Sequence, residues 1–188
     1  MRSLGTLRSL VLNGSSKLLE SLQLHSCTAL ERLEIGWCSS LVTLEGLQSL
    51  VNLKHLKIRQ SPAAYLSLLN TSFCKGLTCL RSLMLTLSDA TRLTDEQESA
   101  LQLLRSLQEL HFEYCAYLVD LPAGLHGLLS LKTLKIVGCG RISGLPKEGL
   151  PPSLEELEIF NCSAELSKQC RLLGTSKLEV KIDWVYVD

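Results

Sequence analysis

The chain has 188 residues, 46% of them hydrophobic, which suits a single domain over 1–188 with one continuous apolar core. Nineteen Lys and Arg balance nineteen Asp and Glu, so there is no basic excess to attract nucleic acid or an anionic membrane surface. No apolar run approaches the roughly 20 residues of a membrane-spanning helix, and the opening Met1-Arg2-Ser3-Leu4-Gly5-Thr6 lacks the apolar stretch of a signal peptide, so the expected address is cytoplasmic.

Taken in chain order, one pattern keeps returning: Leu-x-x-Leu-x-Leu-x-x-(Cys/Ser), with Ile or Phe accepted at the sixth place. It is first met as Leu7, Leu10, Leu12 and Ser15. The next match, Leu19-Glu-Ser-Leu22-Gln-Leu24-His-Ser-Cys27, falls only 12 residues after Leu10 and 11 before Leu33. A coil that short could hardly travel up a strand and return. Two placements are open: an extended or irregular segment on the return of the first coil, or a strand that replaces Leu10 in the sheet. A clear copy follows at Leu30, Leu33, Ile35 and Cys38, then weaker, serine-ended copies, like the first, at Leu53, Leu56, Ile58 and Ser61 and at Leu80, Leu83, Leu85 and Ser88.

Thr94-Asp95-Glu96-Gln97 reads as a capping box opening a helix through about Arg105, which buries Leu101 and Leu104. The pattern resumes at Leu107, Leu110, Phe112 and Cys115, at Leu131, Leu134, Ile136 and Cys139, and at Leu154, Leu157, Ile159 and Cys162. Leu121-Pro122 and Leu145-Pro146 turn the chain at the same offset after two of these strands. The β-rich run Leu178 to Val187 closes the series as a last strand around Val180-Lys-Ile182, with Val185 where earlier copies have Cys or Ser.

The central positions 10, 33, 56, 83, 110, 134, 157 and 180 are separated by 23, 23, 27, 27, 24, 23 and 23 residues. This motif and spacing resemble the leucine-rich repeat, whose period is roughly 20–29 residues. The physical reading is direct. Leu-x-Leu sends two apolar side chains to one face of a short strand and the residue between them to the other. One coil cannot bury its own apolar face, whereas a stack of coils shares one core. The expected fold is therefore an α/β repeat solenoid: a leucine-rich-repeat horseshoe of about eight coils, with a parallel β-sheet on the concave face and irregular or short helical convex returns.

Most of the eight cysteines fall at the ninth motif place, where a small thiol or hydroxyl can hydrogen-bond turn backbone that would otherwise be buried unsatisfied. They are read as small buried residues rather than disulfide partners. Cys74 and Cys79 lack the second ligand pair of a zinc site, and no cofactor or metal is expected.

Cys-ended repeats, irregular spacing and Leu-Pro returns together resemble the leucine-rich-repeat region of plant nucleotide-binding leucine-rich-repeat disease-resistance proteins. Leu41-Val-Thr-Leu44-Glu-Gly-Leu47-Gln-Ser-Leu50-Val-Asn-Leu53 and Leu118-Val-Asp-Leu121-Pro-Ala-Gly-Leu125 are similar to them in particular. The resemblance implies an intracellular immune sensor that detects a pathogen effector, directly or through a guarded host protein. It also implies a role in holding a nucleotide-binding module inactive. That module would be a partner in cis, since this sequence has no Gly-x-x-x-x-Gly-Lys-Ser/Thr phosphate loop. A ubiquitin-ligase adaptor has similar Cys-ended repeats but favours Cys-x-x-Ile-Thr-Asp. Cys139-Gly-Arg-Ile142-Ser-Gly obeys that pattern only in part. A free-standing protein-binding module is the other alternative.

No Ser/His/Asp grouping, metal box or phosphate loop suggests an enzyme. Candidate protein-binding residues are instead the outward ones of the repeat strands: Glu34, Lys57, Met84, His111, Lys135 and Glu158, then Arg59, Glu113 and Phe160 one step along the same face. Trp37 and Tyr114 lie at its edge. A single outward charge on a strand is most often just solvated, whereas Trp, Tyr and Arg are the types that most often anchor interfaces. The expected partner is a protein, with neither nucleic acid nor membrane.

Overall fold

The computed structural model describes residues 4–14, 19–61, 68–87, 89–173 and 177–187; the motif serines Ser15 and Ser88 lie outside them. Its strands are β1 (Ser9–Asn13), β2 (Ser21–Gln23), β3 (Arg32–Gly36), β4 (Thr43–Glu45), β5 (His55–Arg59), β6 (Ser82–Thr86), β7 (Glu109–Glu113), β8 (Thr133–Val137), β9 (Glu156–Phe160), β10 (Glu179–Ile182) and β11 (Val185–Tyr186). Nine of them form one sheet in the order β1-β3-β5-β6-β7-β8-β9-β10-β11. From β1 to β10 every pairing is parallel, so the fold is a parallel-dominated sheet with a few short helices, of α/β type.

Register repeats from strand to strand. Leu10, Leu33, Leu56, Leu83, Leu110, Leu134, Leu157 and Val180 lie side by side across the sheet. Two residues on, Leu12, Ile35, Ile58, Leu85, Phe112, Ile136, Ile159 and Ile182 do the same. From β3 onward both rows are buried. Full burial of a Leu or Ile side chain is worth about 1.5–3 kcal/mol, and a one-residue slip would turn the whole row to solvent. At β1 the equivalent Leu10 and Leu12 are only partly buried.

The 19–27 motif stands off this sheet. β2 pairs with β4 in a separate parallel two-stranded sheet, Leu22 opposite Leu44, while Leu10 keeps its place in the main sheet. Of the two placements considered, the extended segment on the return is the one adopted. Gly46, at φ 76°, closes against it, because a Cβ there would stand 2.3 Å from the His25 amide nitrogen.

Short helices fill the longer returns. α1 (Thr71–Cys74) is capped by the Asn70 side chain, which accepts from the Phe73 amide at 3.0 Å. α2 (Asp95–Gln102) carries the full capping box, with Gln97 N donating to Thr94 Oγ1 and Thr94 N donating to Gln97 Oε1. It buries Leu101 but stops at Gln102 rather than Arg105, so that Leu104 is buried just beyond its end. The chain tightens there: the Leu103 and Leu104 amides donate to carbonyls three residues back. Pro122 opens a 3-10 turn over Ala123–Gly127. α3 (Ala164–Arg171), capped by Ser163, is an addition that the repeat motif does not announce.

The C-terminal end also departs from expectation. The run to Val187 is not one closing strand but a hairpin in which β11 turns back antiparallel on β10. Asp183 and Trp184 have φ of 49° and 68°, the pair of positive values that a type I′ turn requires. Two left-handed residues in succession reverse the chain onto β10. Among the described residues, no helix is long and apolar enough to cross a membrane.

Candidate functional site

Alternation along each strand places a second set of side chains on the face opposite the core. Val11, Glu34, Lys57, Met84, His111, Lys135, Glu158 and Lys181 form one continuous row. The row beyond it runs through Asn13, Gly36, Arg59 and Thr86, and through Glu113, Val137 and Phe160. All the candidate residues except Trp37 and Tyr114 therefore share one face of one sheet.

Ion pairs organise this face. Lys135 Nζ lies 2.6 Å from Glu158, which is only 6% exposed and so is not the solvated charge that an outward strand position suggests. The contact neutralises a carboxylate that burial would otherwise penalise. Arg59 is the centre of a looser group. Its guanidinium lies 3.6 Å from Glu34 and 3.9 Å from Glu113, and 5.5 Å from the centroid of the Trp37 ring. The Glu113 contact reaches across β6, whose Thr86 is buried. Both carboxylate distances exceed an ordinary hydrogen bond, so Arg59 is oriented without being tightly held.

His111 sits between these groups with its Nε2 buried and, among the described residues, without a hydrogen-bond partner. Burial, and then the charge of Lys135, push its pKa below the ordinary imidazole value. It borders a shallow depression of about 130 Å³ shared with Glu34, Lys57 and Met84.

The residue after each strand has a shared backbone feature that the motif conceals. Trp37, Gln60, Tyr114, Gly138 and Asn161 all have φ between 41° and 65°, whereas Leu87 at the same place does not. The left-handed turn lets the amides of Trp37, Gln60, Tyr114 and Gly138 donate to carbonyls of the next coil. Gly138 and Asn161 are the residue types that tolerate this conformation and were the available hint. Trp37 and Tyr114 adopt it at a cost and remain 48% and 61% exposed.

One step further, the cysteines do what their placement suggests. Each thiol lies between two carbonyls: Cys38 reaches Gly36 and Leu12, Cys139 reaches Val137 and Phe112, and Cys162 reaches Phe160 and Ile136. Cys115 does the same with Glu113 and Leu85. Ser61 donates to Arg59 O at 3.1 Å and accepts from Cys38 N at 3.0 Å, so hydroxyl and thiol serve the same purpose. Away from the sheet, a groove of about 900 Å³ runs beside α2. Its walls are tied by Gln102 Nε2 donating to Gly124 O and by Gln169 Oε1 accepting from Leu145 N.

Fold and face together define a class: a parallel-sheet α/β protein with repeated strands, whose outer face is an open surface of ion pairs edged by aromatic residues. No protein-family model matches the chain. Over 104 residues it is 30% identical to a probable disease resistance protein of Arabidopsis thaliana, a match covering 55% of this chain and 24% of that protein. The matched stretch is thus about a quarter of that relative's length, and it suggests a relationship to plant disease resistance proteins.

Proposed function

We propose that the chain is a leucine-rich-repeat solenoid, forming one domain, that serves as the protein-recognition region of an intracellular plant immune receptor. In this reading it senses a pathogen effector, directly or through a guarded host protein, and helps keep a nucleotide-binding module inactive. The observation that carries the proposal is the unbroken register of outward residues from Val11 to Lys181. An uninterrupted row across eight strands is a broad, preorganised surface of the kind used to bind another protein. The partial similarity to a disease resistance protein supports the immune setting.

The test is site-specific photo-crosslinking in plant tissue, with the full-length protein carrying a benzophenone side chain at Lys57, His111 or Lys135. Control positions are Gln48 and His126, on the returns. The expected result is capture of a protein only from the sheet positions. Capture only from Gln48 or His126, or from none of the five, would overturn the assignment of the binding face.

A further inference from the structure

The outward face is electrically divided. On β3 and β5 its outward positions carry Arg32, Lys57 and Arg59 against the single carboxylate of Glu34. From β7 to β10 and its turn they carry Glu109, Glu113, Glu156, Glu158, Glu179 and Asp183 against Lys135 and Lys181. One half is cationic and the other strongly anionic, with Ser82, Met84 and Thr86 of β6 between them. This division is invisible in the overall charge, which is zero. Six strand spacings separate β3 from β10, roughly 29 Å at about 4.8 Å each. The halves neutralise one another only at their seam over β6, where Arg59 lies 3.9 Å from Glu113, and each keeps its excess charge toward its outer strands.

A second, independent observation marks the same surface. The residue following β3 and β7 is an aromatic, Trp37 or Tyr114, held at positive φ although the corner accepts Gly138 and Asn161 elsewhere, and Trp184, two residues past β10, stands at positive φ in the hairpin turn. These three side chains are 48%, 61% and 67% exposed, so burial does not offset their strained backbone. Exposed Trp and Tyr beside arginine and carboxylates have the composition of an interface centre.

We infer that this face is a charge-polarised docking surface for a protein that presents carboxylates to β3 and β5 and Lys or Arg side chains to β7–β10. Trp37 and Trp184 are its contact aromatics at the two ends. The inference rests on the protein-recognition reading and adds the chemistry and orientation of the partner. A partner docked the other way round would set like charges against each other in both halves, which selects one orientation and speeds encounter.

The two tryptophans of the chain happen to report the halves separately. In the full chain carrying Trp184→Phe, Trp37 reads the cationic half; with Trp37→Phe, Trp184 reads the anionic half. The probes are hexalysine and hexaglutamate at about 20 mM salt, where screening is weak. Hexalysine is expected to shift Trp184 emission and leave Trp37 unmoved, hexaglutamate the reverse, with both effects lost at high salt. Glu109 and Glu179 are exposed, as is Arg32, and Lys57 is half-buried. Glu109→Gln with Glu179→Gln is expected to weaken hexalysine about fivefold and spare hexaglutamate, and Arg32→Gln with Lys57→Gln the converse. Peptides that move both tryptophans alike, or neither at millimolar concentration, would overturn the inference. So would a salt-sensitive dimer in sedimentation equilibrium, since a divided face can also pair with itself about a twofold axis. These outcomes are separable from the crosslinking test: captured proteins with undivided peptides would leave recognition standing and remove only the polarity.

Discussion

The ring of Tyr114 lies across Gly138 so closely that a Cβ on that glycine would stand 2.7 Å from Tyr114 Cδ1. Gly138 also has φ 65°. Gly138→Ala therefore meets two penalties, a left-handed alanine and a displaced tyrosine. The expected loss is about 2 kcal/mol in urea unfolding. An unchanged midpoint would mean that the ring moves freely and is not a fixed feature of the surface.

Gln60 offers the opposite substitution. It occupies the same corner at φ 41°, is exposed, and is neither glycine nor asparagine. Gln60→Gly is expected to raise stability by about 0.5–1 kcal/mol, because glycine reaches this conformation without a Cβ clash. A loss of stability would show that the glutamine side chain, rather than the corner geometry, matters there.

Cys139 Sγ lies between the carbonyls of Val137 and Phe112 at 3.4 and 3.6 Å and is fully buried. Cys139→Ala removes the thiol's contacts to both carbonyls and opens a small void, at a cost of about 1–3 kcal/mol, while Val137 O keeps the Tyr114 amide. Cys139→Ser restores a donor, as Ser61 does in its own coil, and should recover part of the loss. Equal losses for the two variants would assign the residue to packing alone.

Thiol chemistry follows the same geometry. Of the eight cysteines only Cys79 is exposed, while Cys162 is half-buried and the other six are buried. Burial pushes Cys74 and Cys170 up to about 12, and hydrogen bonding to Cys115 together with burial raises Cys139. Titration of the native chain with a disulfide reagent should give one fast thiol, at Cys79, with the buried set released only on unfolding. Several fast thiols would contradict the stacked arrangement.

His111 predicts a pH dependence. Its folded pKa lies below 6.5, so the unfolded chain takes up the proton first. Stability from this residue is complete above 6.5 and declines as pH falls from that value through its folded pKa. His111→Gln should flatten unfolding free energy against pH across that window, and a proton NMR titration should place the His111 midpoint below 6.5. A midpoint above it would reverse the sign.

Much of the strand framework could be read in the residues because period-2 alternation and a recurring Leu are local signals. Each central position from Leu10 to Leu157 stands in a strand, with Val180 in the eighth. The Thr94 cap was legible for the same reason, since its bonds join residues three apart. Ser163 with Leu166 and Cys170 carried a comparable signal for α3, but two buried residues are a faint pattern outside the repeat.

The amino-acid sequence by itself determined which residues face the core and which face out, because that depends only on strand alternation and on the cost of exposing leucine to water. It also determined the small polar side chain after five of the strands, at Cys38, Ser61, Cys115, Cys139 and Cys162, because a buried turn there favours a small group that can hydrogen-bond backbone. Tertiary structure alone decided that Leu22 pairs with Leu44 in a second sheet, that the chain reverses at Asp183 and Trp184, and that Glu158 is buried against Lys135. It also decided that charges summing to zero are sorted into opposite halves of one face. The repeat period shows that neighbouring strands pair, but which side chains then meet across them, and where the chain turns back on itself, depends on positions in space that the period does not carry.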